Sequence, residues 1–259
     1  MHRFYLPPEK CADKSMVLDG REAHHALHVL RLKQGDPVTI LDGNGAIYQC
    51  KIAGASKSEV RLSLQESRTV APKPWRITLF QAIPKGKTFE LIIEKATELG
   101  AKRIVPILSQ RVVSTPENPE RKVERWKLAG IEAIKQSGSP WLPVIEAPVK
   151  LPDAVSIGQP FDLSLVGSLQ PGAKHPKHWL DTLKPKSSEP TEVAIWIGPE
   201  GDFTADEVAL LERASARPIT LGNLVLRVET AAIYCLSVLS SEMQWRAERG
   251  CPHPQQTRE

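Results

Sequence analysis

AIWIGPEGDFTADE, residues 194–207, runs an apolar segment into Gly198-Pro199-Glu200-Gly201 and then into the opening of a helix. Strand, glycine turn and helix in that order form the repeating unit of an α/β sheet, and such turns often cradle phosphate. Neither G-x-x-x-x-G-K-[ST] nor G-x-G-x-x-G is present here. Glu200 and Asp202 stand where a polyphosphate would sit, and two carboxylates repel a polyanion at short range. The turn suits a neutral heterocycle, a ribose or a cationic centre instead. Thr204 to Glu207, T-A-D-E, has the form of a capping box. That pattern accounts for Thr204. It leaves Asp202 as either a cap or a ligand contact, and Glu200 without a structural reason.

Working outward, the segments RITLFQAI, RIVPIL, PVIEAPV, FDLSLVG, EVAIWIG and RPITLG are candidate strands. Helical patterns lie between them at KTFELIIEKATELG, ENPERKVERWKLAGIEAIKQS and FTADEVALLERAS, and a last helix runs from about Leu226 to Arg246. Apolar strands alternating with amphipathic helices predict an α/β domain with a mostly parallel sheet. Three of the strands, LSLVG, AIWIG and PITLG, end on Gly167, Gly198 and Gly222. In a parallel sheet, ligands collect at such strand ends, and glycine lets them approach the backbone.

The chain before about Arg68 reads differently. RFYL, SMVLD, PVTILDG, AIYQCKIAG and SEVRLSLQ are short strands, with one helix at REAHHALHVLRL and turn signals at Asp42-Gly43 and Asn44-Gly45. This predicts a small β-rich barrel or sandwich, joined through the proline-containing SRTVAPKPW to the α/β domain. The expected division is residues 1–70 and 71–250.

Composition sets outer limits. A hydrophobic fraction of 41% and a charged fraction of 25% over 259 residues are ordinary for a globular protein. The net charge of +4 permits nucleic-acid binding without requiring it. The cysteines Cys11, Cys50, Cys235 and Cys251 form no ligand spacing and read as free thiols in a reducing compartment. MHRFYLPPEK lacks a signal-peptide core, and Arg227 and Glu229 interrupt the most apolar late stretch, so no membrane span is expected. The expected location is the cytoplasm. His24, His25 and His28 form H-H-x-x-H without the glutamate of a zinc protease motif, and no metal site is expected.

ITLGNLVLRVETAA, residues 219–232, carries Arg227, Glu229 and Thr230 just beyond Gly222. Taken with IGPEGDFTADE, this segment resembles the paired C-terminal motifs of the SPOUT methyltransferase superfamily. The match is to the RsmE-type 16S ribosomal RNA uridine-N3 methyltransferases. HRFYL, HHALHVLRLKQGD, PKGKTFELIIEKATELGAKRIVPI and ERWKLAGIEAIKQSGSP extend the resemblance over nearly the whole chain.

The resemblance implies an α/β SPOUT domain with a deep trefoil knot, a small N-terminal PUA-like RNA-binding β-barrel, and a homodimer. It implies S-adenosyl-L-methionine as cofactor and 16S ribosomal RNA or the small subunit as partner. Val166, Gly167, Ile197, Gly198, Pro199, Glu200, Gly201, Leu221, Gly222, Val225 and Leu226 are the implied cofactor-cleft residues. Arg227 is expected to stabilise negative charge on uracil oxygens, with Glu229 or Glu200 accepting the N3 proton or orienting Arg227. Arg3, Arg31, Lys33, Lys85, Lys87, Arg111 and Gln136 are the RNA-binding candidates. Family members more often have glycine at position 202, a Pro-Arg pair at 223–224, and glutamate and arginine at positions 135 and 139. Methylation of another RNA nucleotide, or a non-catalytic RNA-binding role in ribosome assembly, are the alternative functions.

Overall fold

The computed structural model describes residues 2–11, 15–111, 118–157, 160–184, 186 and 189–250. Cys251 and the tail that follows it lie outside them. In chain order the elements begin with β1 (His2–Tyr5), β2 (Ser15–Leu18), α1 (Gly20–His24) continued by a π-helical turn over His25–Val29, and β3 (Pro37–Leu41). Then come β4 (Ala46–Ala55), β5 (Val60–Thr69), β6 (Trp75–Ala82), α2 (Thr88–Glu98), β7 (Arg103–Leu108) and α3 (Pro119–Ser137). The rest are β8 (Val144–Ile145), β9 (Val149–Lys150), α4 (Leu151–Ile157), β10 (Leu163–Gly167), α5 (Pro176–Leu180), β11 (Thr191–Ile197), α6 (Ala205–Arg213), β12 (Ala216–Ile219) and α7 (Val228–Gly250).

Two compact units result. One comprises Met1–Pro72 with Glu124–Pro143, the other Lys73–Val123 with the chain from Val144 onward. The first contains a five-stranded sheet in the order β1-β3-β4-β5-β2, antiparallel except where β1 runs parallel to β3. The predicted small β-rich module is present. Asp42 makes its first hairpin turn, its Oδ1 accepting the amides of Asn44 and Ala46 at 2.7 and 2.9 Å. Phe4, Met16, Leu18, Val38, Ile40 and Leu62 form its core. Ile134 of α3 packs on Leu41 and Ile47.

Lys135 follows Ile134 and is buried. Its Nζ donates to Glu22 Oε1 at 2.9 Å and to Glu132 Oε1 at 3.3 Å. Both Lys135 and Glu22 are largely out of solvent, with side-chain exposures of 7% and 15%. Desolvating a lysine there is tolerable because a carboxylate meets it.

The second unit holds the predicted parallel sheet, in the order β12-β10-β11-β6-β7-β8, with β9 also pairing with β7. All its named pairings are parallel. Register places Val166, Trp196, Phe80 and Val105 side by side, so their side chains share one face. There Trp196 and Phe80 stack with centroids 3.7 Å apart, and Leu151 and Ala154 of α4 and Val208 and Leu211 of α6 complete the layer. The alternate row, Leu165, Ile195 and Leu79, faces the other way, where α7 covers β6 and β11 and α2 packs on α7.

One prediction needs correction. PVIEAPV is not one strand: only Val144–Ile145 and Val149–Lys150 pair, at two different places along β7. A proline at residue 148 lacks the N–H that a continuous ladder requires.

No helix among the described residues is long and apolar enough to cross a membrane. No group of three His, Cys, Asp or Glu side chains among them could hold a metal; His24 and His28 meet ring to ring, with centroids 4.9 Å apart. Cys11, Cys50 and Cys235 are free thiols, and burial pushes them up to about 11, 11 and 12.

Replacing Lys135 with alanine leaves the partly buried Glu22 without its cation. The expected cost is about 3 kcal/mol, read as a lower urea midpoint by far-UV circular dichroism. Glu132→Gln, which removes the more exposed partner, should cost well under half of that.

Candidate cofactor cleft

The parallel register decides where the three glycine-ended strands stop. Val166 lies opposite both Trp196 and Pro218, and Gly167 opposite Ile219. β10 is flanked by β11 and β12, and all three end nearly level, so their following loops converge. They enclose a cavity of about 480 Å³ in the second unit, a volume suited to a small organic ligand.

Its walls are made of Gly167, Ser168 and Leu169 after β10, Ile197 to Glu200 and Asp202 after β11, and Leu221, Gly222 and Leu224 to Arg227 after β12. Thr88 at the start of α2 and Val228, Glu229 and Ala231 in the first turns of α7 complete it. Nine of the eleven sequence-predicted cofactor residues line this cavity: Gly167, Ile197, Gly198, Pro199, Glu200, Leu221, Gly222, Val225 and Leu226.

Val166 and Gly201 do not. Strand alternation turns Val166 into the α4/α6 layer, where it is fully buried against the Phe80 and Trp196 row. Gly201 turns away as well, its carbonyl accepting from Arg111 Nη1.

Gly198 is where a close approach demands glycine. A Cβ there would come within 3.0 Å of the Phe203 amide nitrogen and 3.1 Å of Asp202 Oδ1. Gly222 meets no neighbour but holds φ +110°, a conformation that L side chains avoid.

The loop after β11 is held by side-chain bonds to backbone. Glu200 Oε1 accepts the Lys85 amide at 3.0 Å, which supplies the structural role absent from its sequence reading. The capping box is present as predicted: Glu207 N donates to Thr204 Oγ1 at 3.2 Å and Thr204 N to Glu207 Oε2 at 2.9 Å. Asp202 is therefore not the cap. It sits at φ +60°, the left-handed region that aspartate enters more readily than most residues. Its Oδ1 accepts the Phe203 amide at 2.8 Å and its Oδ2 the Leu169 amide at 3.3 Å. Asp202 thus ties the loop after β11 to the loop after β10.

Arg227, Glu229 and Glu200, the predicted chemical residues, all line the cavity. Arg227 immediately precedes α7, its carbonyl accepting the Ala231 amide at 2.8 Å. Glu229 lies in the first turn of α7, where the helix dipole favours a carboxylate. Thr88, Ser168, Leu169, Leu224, Val228 and Ala231 also line it without having been predicted, and so does Asp202, which the sequence left as either a cap or a ligand contact. Direct adjacency to the glycine motifs was the available signal for Ser168 and Leu169.

The RNA-binding candidates divide between the units. Lys85, Lys87 and Arg111 are exposed in the second, near the cleft through the Lys85–Glu200 and Arg111–Gly201 bonds. Arg3, Arg31, Lys33 and Gln136 are exposed in the first. Arg3 Nη1 already donates to the carbonyls of Lys135 and Gln136 at 3.1 and 2.9 Å.

Comparison with known proteins settles the family. Residues 71–240 match the RNA methyltransferase domain, and residues 18–65 the RNA methyltransferase PUA domain. The chain belongs to the RNA methyltransferase family. It is 30% identical to ribosomal RNA small subunit methyltransferase E of Synechocystis, over 94% of this chain and 78% of that one. A Legionella pneumophila methyltransferase solved with bound S-adenosylmethionine superposes with a TM-score of 0.82 at 30% identity, covering 92% of this chain and 96% of that one. Ribosomal RNA small subunit methyltransferase E of Neisseria gonorrhoeae, bound to S-adenosylmethionine, gives a TM-score of 0.81 at 26% identity, over 93% and 97%.

Two glycine substitutions should separate crowding from strain. Gly198→Ala is expected to weaken cofactor binding about tenfold, as a shift of 1.4 kcal/mol would, because the Phe203 amide must move. Gly222→Ala should have an effect of similar size through φ alone. Isothermal titration calorimetry checks both, and a Gly54→Ala control outside the cleft should bind normally.

Proposed function

We propose that this chain methylates N3 of a uridine in 16S ribosomal RNA of the small subunit, using S-adenosylmethionine held in the cleft of the second unit. The observation that carries the reading is the convergence of three strand-end loops on one cavity that also contains Arg227, Glu229 and Glu200. Glycine at 198 lets the loop fold back onto the Phe203 amide and Asp202 at the edge of the cavity, and the carboxylates of the wall suit a sulfonium rather than a phosphate. Family membership supplies the reaction class.

Bound S-adenosylmethionine supplies an electrophilic methyl group, so the protein's tasks are alignment and charge stabilisation. Uridine N3 carries a proton and attacks well only as that proton leaves. Arg227, exposed on the cavity wall, is positioned to hold the negative charge that develops on the uracil oxygens. Glu229, two residues along, orients Arg227 or takes the N3 proton. Glu200 has one oxygen committed to the Lys85 amide, so it acts first as an anchor of the Lys85–Lys87 loop. The RNA backbone is met by Lys85, Lys87 and Arg111 around the cleft and by Arg31, Lys33, Arg3 and Gln136 on the PUA-like domain. Salt should weaken that grip steeply, and the target base must be flipped or already unpaired to enter.

The same reading carries a division near residue 70 into a PUA-like barrel and a SPOUT domain, a trefoil knot in the C-terminal segment, a homodimer and a cytoplasmic location.

Nucleoside mass spectrometry of 16S ribosomal RNA from cells lacking the gene should show N3-methyluridine lost and restored by the wild-type chain. An unchanged N3-methyluridine level with loss of a different methylated nucleoside would redirect the assignment to that nucleotide. In purified protein, Arg227→Ala should lower turnover about 100-fold while leaving cofactor affinity within threefold. Normal turnover in both Arg227→Ala and Glu229→Gln would overturn their assigned roles.

A further inference from the structure

Asp202 lines the cleft. The backbone explains why a residue other than glycine is tolerable: φ is +60°, a conformation asparagine and aspartate enter at modest cost. Its carboxylate does more than tolerate the turn, because its two oxygens take amides from two different loops, Phe203 and Leu169. Neither partner is a cation, so these bonds leave the formal negative charge in place.

The charged side chains of the cavity wall are Glu200, Asp202, Arg227 and Glu229. Three of these residues carry a carboxylate and one a guanidinium. Lys85 and Arg111 neighbour the wall through their bonds to Glu200 and Gly201 without lining it. Methyl transfer breaks the bond from methyl carbon to sulfur and forms one to nitrogen. The sulfonium thereby becomes a neutral thioether, and the N3 proton departs. Donor and by-product are nearly the same shape and differ by one positive charge.

Resting on the cofactor assignment above, we propose that Asp202 is a specificity-determining residue. Its carboxylate makes the cleft favour the cationic methyl donor over the uncharged S-adenosylhomocysteine, while its two amide bonds hold the Leu169 loop in place. A carboxylate in the wall attracts a cation bound in the cleft, and in partly desolvated space one unit of charge is worth several-fold in affinity. It assists turnover by loosening the by-product once the sulfonium charge is gone.

The test separates charge from packing. Calorimetry on the full-length protein measures Kd for S-adenosylmethionine, S-adenosylhomocysteine and an analogue in which an amine-bearing carbon replaces the sulfonium. Asp202→Asn keeps the size and the left-handed tolerance, and Asp202→Gly keeps the backbone freedom; both remove the charge. In each, the ratio of the S-adenosylhomocysteine Kd to the S-adenosylmethionine Kd should fall roughly three- to tenfold. The amine analogue should lose affinity in parallel with the donor. A change in loop packing alone would weaken all three ligands alike and leave the ratio unmoved. The wild-type ratio should also shrink as salt rises from 50 to about 500 mM, where screening shortens, and do so less in Asp202→Asn. Normal binding with an unchanged ratio in both variants overturns the role of Asp202 and leaves the cofactor cleft standing. Absence of saturable binding of any of the three ligands to the wild type overturns both.

Discussion

The cleft depends on one register. β10 lies between β11 and β12, pairing in parallel with both, although both follow it in the chain. Val166 is level with Trp196 and Pro218, so the three strands deliver Gly167, Gly198 and the Leu221-Gly222 turn to one edge of the sheet. A slip of one residue in β10 would turn Val166 out of the α4/α6 layer and put Leu165 or Gly167 in its place. The stacked Phe80–Trp196 pair and the apolar layer over it make that slip expensive. Burial on one face of the sheet therefore sets the geometry of the loops at its end.

Glycine-rich loops have few side chains with which to pack, so their shape must come from elsewhere. Here it comes from polar side chains that satisfy backbone groups. Glu200 takes the Lys85 amide, Asp202 takes the Leu169 and Phe203 amides, and Arg111 donates to the Gly201 carbonyl. The Asp202 amide in turn closes a tight turn onto the Pro199 carbonyl at 2.9 Å. Each of these bonds joins the β11 loop to itself or to a different segment. A charged acceptor or donor strengthens such bonds, and an amide left unpaired in a cleft wall would be costly. The two carboxylates that argue against phosphate are thus also the loop's fastenings.

Much of this was legible in the sequence because the informative features are local. Alternating apolar strands and amphipathic helices report a parallel α/β sheet, and T-A-D-E reports its capping box at Thr204. Asp42-Gly43 reports a hairpin turn. What was not legible depends on neighbours distant in the chain. Whether Val166 faces a ligand or a core is decided by which strands flank β10. That PVIEAPV splits into two short pairings depends on Pro148 and on the run of β7 beside it. Nothing local marks Lys135 of α3 as buried, and only its partner Glu22, more than a hundred residues earlier, explains its burial. The same holds for Glu200, whose partner Lys85 lies on the loop before α2.

The cleft's two kinds of surface divide the work of recognition. Leu224, Val225 and Leu169 are exposed at 77%, 76% and 61%, an apolar lip left in solvent beside the charged wall. Covering such side chains supplies affinity in proportion to area and without regard to charge. It therefore serves a methyl donor and its demethylated by-product equally. Discrimination between them must come from groups that sense the one charge by which they differ, and in this wall those are Glu200, Asp202, Arg227 and Glu229. Glu200 holds the Lys85 amide, and Arg227 and Glu229 flank Val228 at the start of α7. Asp202, like Glu200, gives its oxygens to uncharged backbone amides, so its formal charge is left to act on a ligand in the cleft.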